Sequence, residues 1–154
     1  MLKFSKKLLY AIEAVTDIAY NSGGEPVQIR EVTSRQGVPQ RYLEQVMQRL
    51  VKAGILKGIR GPRGGYLLAR ERAKISVGDI ARVVMVVEDE DNESGLPPDM
   101  AVGPIGKQVI RPLWAEFQEQ ILEMMDNITV EDLTTRAFKN GVPSEVYNRI
   151  TYSI

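Results

Sequence analysis

The sequence predicts a mainly α-helical protein with one small β-hairpin, and three features of the chain support this fold class. Apolar residues recur at steps of three and four in several segments, which is typical of amphipathic helices. Residues 60–66 form a glycine- and proline-rich reversal between two short strand-like runs, which predicts a hairpin. A further apolar stripe, near the C-terminal end, is too wide for one domain to cover. We therefore expect one helical domain with a hairpin, followed by a long helix.

The composition limits the classes of function that are open to the chain. Its 154 residues, 44% of them apolar, suffice for one globular domain with a core and an appendage. The absence of cysteine and histidine excludes disulfides, thiolate clusters and every Cys/His nucleophile, so we expect no cofactor, no metal site and no enzymatic activity. Glu13 and Asp17 cut the first apolar run too short for a signal peptide or a membrane span, which predicts a cytoplasmic location.

Charge is divided unequally along the chain although the net charge is zero. Residues 1–74 hold 14 Lys and Arg against 6 Asp and Glu, whereas residues 75–154 hold 6 against 14. A basic half beside an acidic half indicates that the first half contacts an anion such as a nucleic acid.

The first predicted elements are two helices. An apolar stripe over about residues 5–20 predicts a core helix, and its members are Leu8, Ala11, Ile12, Val15, Ile18 and Ala19. Asn21 and the two glycines that follow Ser22 end this helix. A short second helix holds Ile29 and Val32 and stops at residues 36–37.

A third helix follows Pro39, which suits a first helical turn. Its predicted buried stripe contains Tyr42, Leu43, Val46, Met47, Leu50 and Val51. Its opposite face is polar and contains Gln40, Arg41, Glu44, Gln45, Gln48 and Arg49. Two short helices joined by a glycine-containing turn are typical of a helix-turn-helix, in which such polar side chains reach base edges in the major groove of DNA.

The hairpin tip carries Arg60 and Arg63 into solvent. Glycine accepts positive φ and proline presets a turn, so residues 60–66 can reverse tightly. An arginine on such a wing can enter a minor groove, and we expect residues 1–87 to be a winged helix-turn-helix DNA-binding domain. An ordinary solvated hairpin is the plain alternative. A phosphate-binding loop is disfavoured, because no lysine followed by Ser or Thr comes after the glycines.

The second half of the chain begins with a predicted capping box, Ser76 with Asp79, and a fourth helix that reaches Val87. Residues 88–106 are predicted to be a loop, since they are rich in Gly and Pro and hold five acids within residues 88–93. One interpretation is that these acidic residues belong to a solvated loop without a specific role. The alternative is that they act as an electrostatic guard or a partner-docking loop beside the DNA-binding domain.

Residues 107–137 are predicted to be a dimerisation region, because a partner helix would cover the apolar stripe. The stripe residues are Val109, Leu113, Trp114, Phe117, Ile121 and Met125. Pro112 either starts this helix or kinks it. Residues 129–132 predict a second capped helix, and residues 138–154 form a tail with a turn at Asn140-Gly141 and a terminal strand or frayed end at residues 150–154.

Several motifs together resemble one family. They are Phe-Ser-Lys-Lys at residues 4–7, Tyr-Leu-Glu-Gln at residues 42–45 and, most specifically, Arg-Gly-Pro-Arg-Gly-Gly-Tyr-Leu-Leu-Ala-Arg at residues 60–70. On these residues the chain resembles the Rrf2 family of bacterial winged helix-turn-helix transcription regulators. The resemblance implies a homodimer with crossing C-terminal helices, which binds double-stranded DNA at a palindromic operator.

The resemblance also implies roles for individual residues. It assigns the reading helix Gln40, Arg41, Tyr42, Glu44 and Gln45. It places Arg60 on the minor-groove wing and sets Ser5, Lys6 and Tyr10 near phosphates. Leu9 departs from the family pattern, because many members carry an arginine there.

A second departure concerns the iron–sulfur members of the family, which place three cysteines between the fourth helix and the dimer helix. Residues 88–106 contain none, and carboxylates do not replace thiolates around an iron–sulfur core. The chain therefore resembles the clusterless members, similar to the cysteine-metabolism repressors. That resemblance implies a repressor whose signal comes from a metabolic-enzyme partner or a small-molecule effector.

Other interpretations of the same residues stay open at the level of sequence. The winged domain could serve as a protein-interaction module with weak or lost DNA binding. Tyr42 has a core interpretation, because it lies on the Val46 side of its helix. Trp114 and Phe117 are interpreted as packing residues rather than an effector cage.

Overall fold

The computed structural model describes residues 5–90 and 103–146, with side chains left out for residues 86–90. Its elements are α1 (Lys6–Asn21), α2 (Ile29–Gln36), α3 (Gln40–Lys52), β1 (Leu56–Ile59), β2 (Gly65–Leu68), α4 (Val77–Glu90), α5 (Arg111–Asp126) and α6 (Val130–Lys139). A 3-10 turn, Arg72–Lys74, precedes α4, and a π-helical turn, Gly106–Ile110, runs directly into α5. The mainly α-helical fold with one hairpin is confirmed. None of the described helices is both long and apolar enough to cross a membrane.

The core is built around α1. Ala11, Ala14, Val15 and Ile18 are fully buried, and α1 contacts α2, α3, α4, α6 and β2. Small side chains on a helix allow neighbouring helices to approach closely, so the two alanines let the other elements pack around one central helix.

The helix-turn-helix consists of α2, a sharp turn and α3. Glu31 accepts a hydrogen bond from the Gln28 backbone N–H at 2.7 Å and so caps the start of α2. Gly37 ends the helix in a left-handed conformation with φ 69°, and Pro39 is the residue that precedes α3. On the predicted buried side of α3, Tyr42 is half-buried and Val51 is 36% exposed, and the other four residues are buried. The assignment of Val51 to the buried side was wrong, because its side chain lies about 100° around the helix from that of buried Leu50, at the edge of the stripe.

The wing is an antiparallel pair in which Leu56 faces Leu68 and Ile59 faces Gly65. Val27 extends it by exchanging two backbone hydrogen bonds with Tyr66, at 3.0 and 2.8 Å. Gly65 has φ 153°, and a Cβ there would lie 2.6 Å from the Val27 carbonyl oxygen. Only glycine allows the chain before α2 to pack against the wing this closely. The predicted hairpin is confirmed.

The predicted capping box at the start of α4 is confirmed, because the Asp79 N–H donates to Ser76 Oγ at 2.9 Å and the Ser76 N–H to Asp79 Oδ2 at 3.0 Å. Helical structure extends into both ends of the range predicted as a loop, since α4 reaches Glu90 and the chain is helical again from residue 104. The predicted acidic segment, residues 88–93, lies outside the residues whose side chains are described.

Pro112 lies inside a continuous helical run, as the second residue of α5. The backbone N–H of Arg111 donates to the Gly106 carbonyl, five residues earlier, and thereby closes a π turn. Proline lacks an N–H and interrupts the regular bonding ladder, and a π turn is one of the few features that absorb such a disturbance. Pro112 therefore neither starts a separate helix nor breaks the rod.

The last described segment returns to α1. The predicted cap of α6 is confirmed by the Asp132 N–H, which donates to Thr129 Oγ1 at 3.1 Å. Gly141, with φ 73°, forms the predicted turn. The Tyr20 hydroxyl then donates to the Val142 carbonyl at 2.7 Å. The predicted strand or frayed end at residues 150–154 lies outside the described residues.

Candidate DNA-binding site

The exposed face of α3 carries the side chains predicted to read bases. Gln40, Arg41, Glu44 and Gln45 are all exposed, and the Gln40 amide donates to Glu44 Oε1 at 3.1 Å. Arg41 and Gln45 are four residues apart and therefore neighbours on one side of the helix. They lie in the first two turns of α3, where the helix dipole favours an approaching anion. A guanidinium and an amide on one face suit hydrogen bonding to base edges.

Tyr42 joins α3 to α1. Its side chain is half-buried, its hydroxyl donates to the Lys7 carbonyl at 2.5 Å, and its ring lies 5.9 Å from that of Tyr10. The structure thus supports the core interpretation of Tyr42 and gives Tyr10 a packing role beside the predicted phosphate contact. Ser5 and Lys6 lie at the start of the same helix, with Lys6 exposed. Tyr42 therefore ties the start of α1, which carries the residues predicted to lie near phosphates, to α3.

The tip of the wing presents Arg60 and Arg63 to solvent. Its shape is fixed by the backbone, because the Gly64 N–H donates to the Gly61 carbonyl at 2.9 Å and Gly61 has φ 111°. A Cβ on Gly64 would collide with the Ile59 carbonyl oxygen, so a side chain has no room there. Both arginines are carried on a rigid turn.

Arg70, the last residue of the wing motif, has a structural role that the sequence did not suggest. Its Nε donates to the Gly54 carbonyl at 3.1 Å, at the turn between α3 and β1. The Ala69 N–H donates to the Ile55 carbonyl at 2.9 Å next to it. These bonds tie the base of the wing to the end of the reading helix.

A buried polar network holds α2 in place, and sequence reasoning did not identify it. Asp17 is 3% exposed and accepts two hydrogen bonds from Arg35, at 2.8 and 2.9 Å, and one from Gln36 at 2.7 Å. The hydrogen bond to the Asp17 carboxylate raises the pKa of Arg35 above its ordinary value, so the guanidinium stays charged. The network fixes the end of α2, and hence the turn into α3.

The same network reaches the C-terminal segment. Asn21 donates to the Asp17 carbonyl at 3.1 Å and accepts from the Glu145 N–H at 3.0 Å. Ser144 is buried and donates to the Tyr20 carbonyl at 2.9 Å. The only sign of this network in the sequence is that a carboxylate, Asp17, stands between residues of a buried stripe. Its partners Arg35 and Gln36 are 18 and 19 positions away, so no local pattern predicts the pairing.

The predicted dimerisation residues divide into two groups. Val109, Leu113, Trp114 and Phe117 are exposed, with Trp114 52% exposed and packed edge-on against Phe117 at 6.2 Å. Ile121 and Met125 are half-buried, and Met125 packs against the core. Two exposed apolar residues of the same rod, Ile110 and Met124, were not predicted.

Comparison with known proteins identifies the family. The model of the Rrf2 family, described as an iron-dependent transcriptional regulator, matches residues 4–136. The chain belongs to the Rrf2 family. It is 31% identical over 163 residues to the HTH-type transcriptional regulator IscR of Sodalis glossinidius, a match that covers 96% of this chain and 97% of the relative. The IscR of Yersinia pestis is 30% identical over 162 residues, with the same coverage.

Two solved structures of the family are similar to this chain. IscR of T. potens is 36% identical, with a TM-score of 0.70 and coverage of 92% of this chain and 93% of that one. CymR, the global cysteine regulator of B. subtilis, is 31% identical, with a TM-score of 0.66 and coverage of 88% and 98%. The chain is therefore a DNA-binding transcription regulator with a winged helix, in a family of regulators rather than enzymes.

Replacing Arg60 by Ala should weaken binding to a specific duplex by about 1–3 kcal/mol, because an arginine in a groove or at a base edge contributes on this scale. Fluorescence anisotropy with the best-bound fragment from a duplex selection measures the change. Lys139→Ala is the matched control, since it removes an exposed cation from the end of α6. If Arg60→Ala and the control gave the same isotherm, Arg60 would be an ordinary solvated residue.

Proposed function

We propose that the protein is a homodimeric cytoplasmic repressor that binds a palindromic operator and carries no iron–sulfur cluster. The observation that carries this proposal is the exposure of α5. Every residue from 111 to 120 is exposed, and Leu113, Trp114 and Phe117 are among them. The proposed dimer would contain two copies of the candidate DNA-binding site, which consists of the polar face of α3 and the two arginines of the wing.

The exposed rod favours pairing with a second copy. Burial of apolar surface contributes roughly 25 cal/mol per Å², and large aromatic side chains bring most of that area. Most homodimers are twofold symmetric, so that one face of each subunit contacts the same face of the other. A helix whose apolar stripe runs from Val109 to Met125 is long enough to cross its own copy.

A dimer with twofold symmetry is expected to bind a palindromic operator, because the two share the same symmetry. It would present two copies of Arg41, Gln45 and Arg60, related by the same axis that relates the two half-sites of the DNA. Each copy of α3 would lie in a major groove, while each wing contacts the neighbouring minor groove.

The residues of this chain do not fit an iron–sulfur cluster. The family is described as iron-dependent, but the chain has no cysteine and no histidine, which leaves carboxylates as its charged ligands. Within residues 5–85 and 103–146, whose side chains are described, no three acidic side chains come together to hold a metal ion. Hard oxygen ligands do not support a thiolate-bound cluster. The signal would instead come from a metabolic-enzyme partner or a small-molecule effector, and the similarity to CymR, named as a cysteine regulator, supports this.

The protein should prefer one operator over a scrambled duplex of the same length. Selection from random duplexes followed by gel shift measures this preference, and run-off transcription from a bound promoter should decrease. If the dimer makes six or more phosphate contacts, affinity should fall about a thousandfold between 50 and 200 mM salt, because counterions are released. Weak binding that is equal for all duplexes would favour the protein-interaction module instead.

Replacing Trp114 by Glu should convert the dimer to a monomer, because it places an unpaired carboxylate in a desolvated interface. Light scattering coupled to gel filtration measures the mass. Ala115→Glu is the control, since it adds the same charge about 100° around the helix, beside Arg111 and Glu119. A Trp114→Glu protein that kept the dimer mass would place the interface on another surface.

Anaerobic incubation with ferrous iron and sulfide should produce no visible chromophore, because thiolate ligands are absent. Absorption spectra and iron analysis after desalting measure the outcome. A stoichiometric chromophore that survived desalting would show that the cluster-free proposal is wrong.

A further inference from the structure

The two ends of α5 are attached to the rest of the molecule very differently. At its C-terminal end, Leu122 and Met125 pack against the core. Just beyond it, the Val77 N–H donates to the Ile128 carbonyl at 2.8 Å, and the Val130 N–H donates to the Ile75 carbonyl at 2.9 Å. The other half of the helix is exposed on all sides. The direction of the whole rod is therefore set by contacts near residue 126.

One ion pair joins α4 directly to the end of α5. Arg82 of α4 binds Asp126 through both ends of its guanidinium, with Nη1 to Oδ1 at 2.6 Å and Nη2 to Oδ2 at 2.8 Å. The hydrogen bonds lower the pKa of Asp126 and raise that of Arg82, so both are charged at neutral pH. A paired fork fixes relative orientation, because its two parallel bonds are lost together when either group turns.

Gly78 provides an independent observation at the same place. It lies in the first turn of α4, where alanine would be the better helix former. A Cβ at this position would collide with Asp126 Oδ1. The glycine leaves the space that the carboxylate occupies, so α4 is shaped to receive the end of α5.

Both partners of the pair are well exposed, with side chains 47% and 38% accessible. Exposed ion pairs add little to folding stability. We therefore expect the pair to fix the orientation of α5 relative to α4 and to contribute little to the stability of the domain.

We propose that Arg82, Asp126 and Gly78 are positioning residues that set the angle between α5 and the DNA-binding domain, and thereby the spacing between operator half-sites. The proposal rests on the homodimer through α5 proposed above. The 16 residues of α5 span roughly 24 Å, so a tilt of about 8° at residue 126 displaces the far end by about 3.4 Å, one base-pair step. A small change of angle would therefore change the register of the two reading helices on DNA.

The test measures affinity as a function of spacer length. The half-site selected by the wild-type protein is placed twice in duplexes whose spacers differ by single base pairs, and anisotropy gives each affinity. Asp126→Asn removes the charge at constant shape, and Gly78→Ala displaces the carboxylate without removing any charge. Arg82→Lys keeps the charge without the fork and should lie between wild type and Asp126→Asn. Glu116→Gln is the control, because it removes an exposed acid of α5 that lies ten residues from Asp126.

Wild type and Glu116→Gln should share one preferred spacer. In Asp126→Asn and Gly78→Ala, the preference for that spacer over its neighbours should fall by up to about fivefold, the upper end of the range for an exposed pair. Half-site sequence preference, melting temperature and dimer mass should stay unchanged. If both variants kept the wild-type spacer profile, the positioning role would be wrong and the homodimer would stand. A wild-type protein without any preferred spacer would overturn both proposals.

Discussion

The packing of α1 is the constraint on which the rest of the structure depends. The reading helix, α2, the wing and α6 each contact this one helix, and Ala11 and Ala14 are fully buried at its centre. Protein interiors are packed as densely as organic crystals, so a larger side chain at either alanine would displace a neighbouring helix. The positions of the polar residues on α3 and on the wing are thus decided by small apolar residues that never reach the surface.

Asp17 adds a directional requirement to this apolar packing. Removing a carboxylate from water costs several kcal/mol unless charged and polar partners compensate for it. The compensation comes from Arg35 and Gln36, in the last turn of α2, immediately before the turn into α3. Any orientation of α2 that separates it from Asp17 is therefore high in energy. Apolar contacts alone would permit sliding, whereas this network selects one position for the helix-turn-helix.

Local patterns were enough to predict most of the fold. Helical periodicity located α1 and α3, glycine and proline located the wing, and three-residue capping patterns located the starts of α4 and α6. The features that the sequence did not reveal depend on distant partners. Asp17 meets Arg35 across 18 positions and Arg82 meets Asp126 across 44, and neither distance has a periodic signature. The π turn before Pro112 was also hidden, because proline is compatible with both a helix start and a kink.

The two glycines next to the tip of the wing have a consequence for how such a regulator can evolve. Gly64 and Gly65 place backbone against backbone, so the shape of the hairpin does not depend on the side chains at its tip. Mutation of Arg60 or Arg63 changes the chemistry that the hairpin presents and leaves its backbone as it was. The chemistry of the wing tip and folding stability can therefore diverge independently among related proteins, so the tip can change without a new fold.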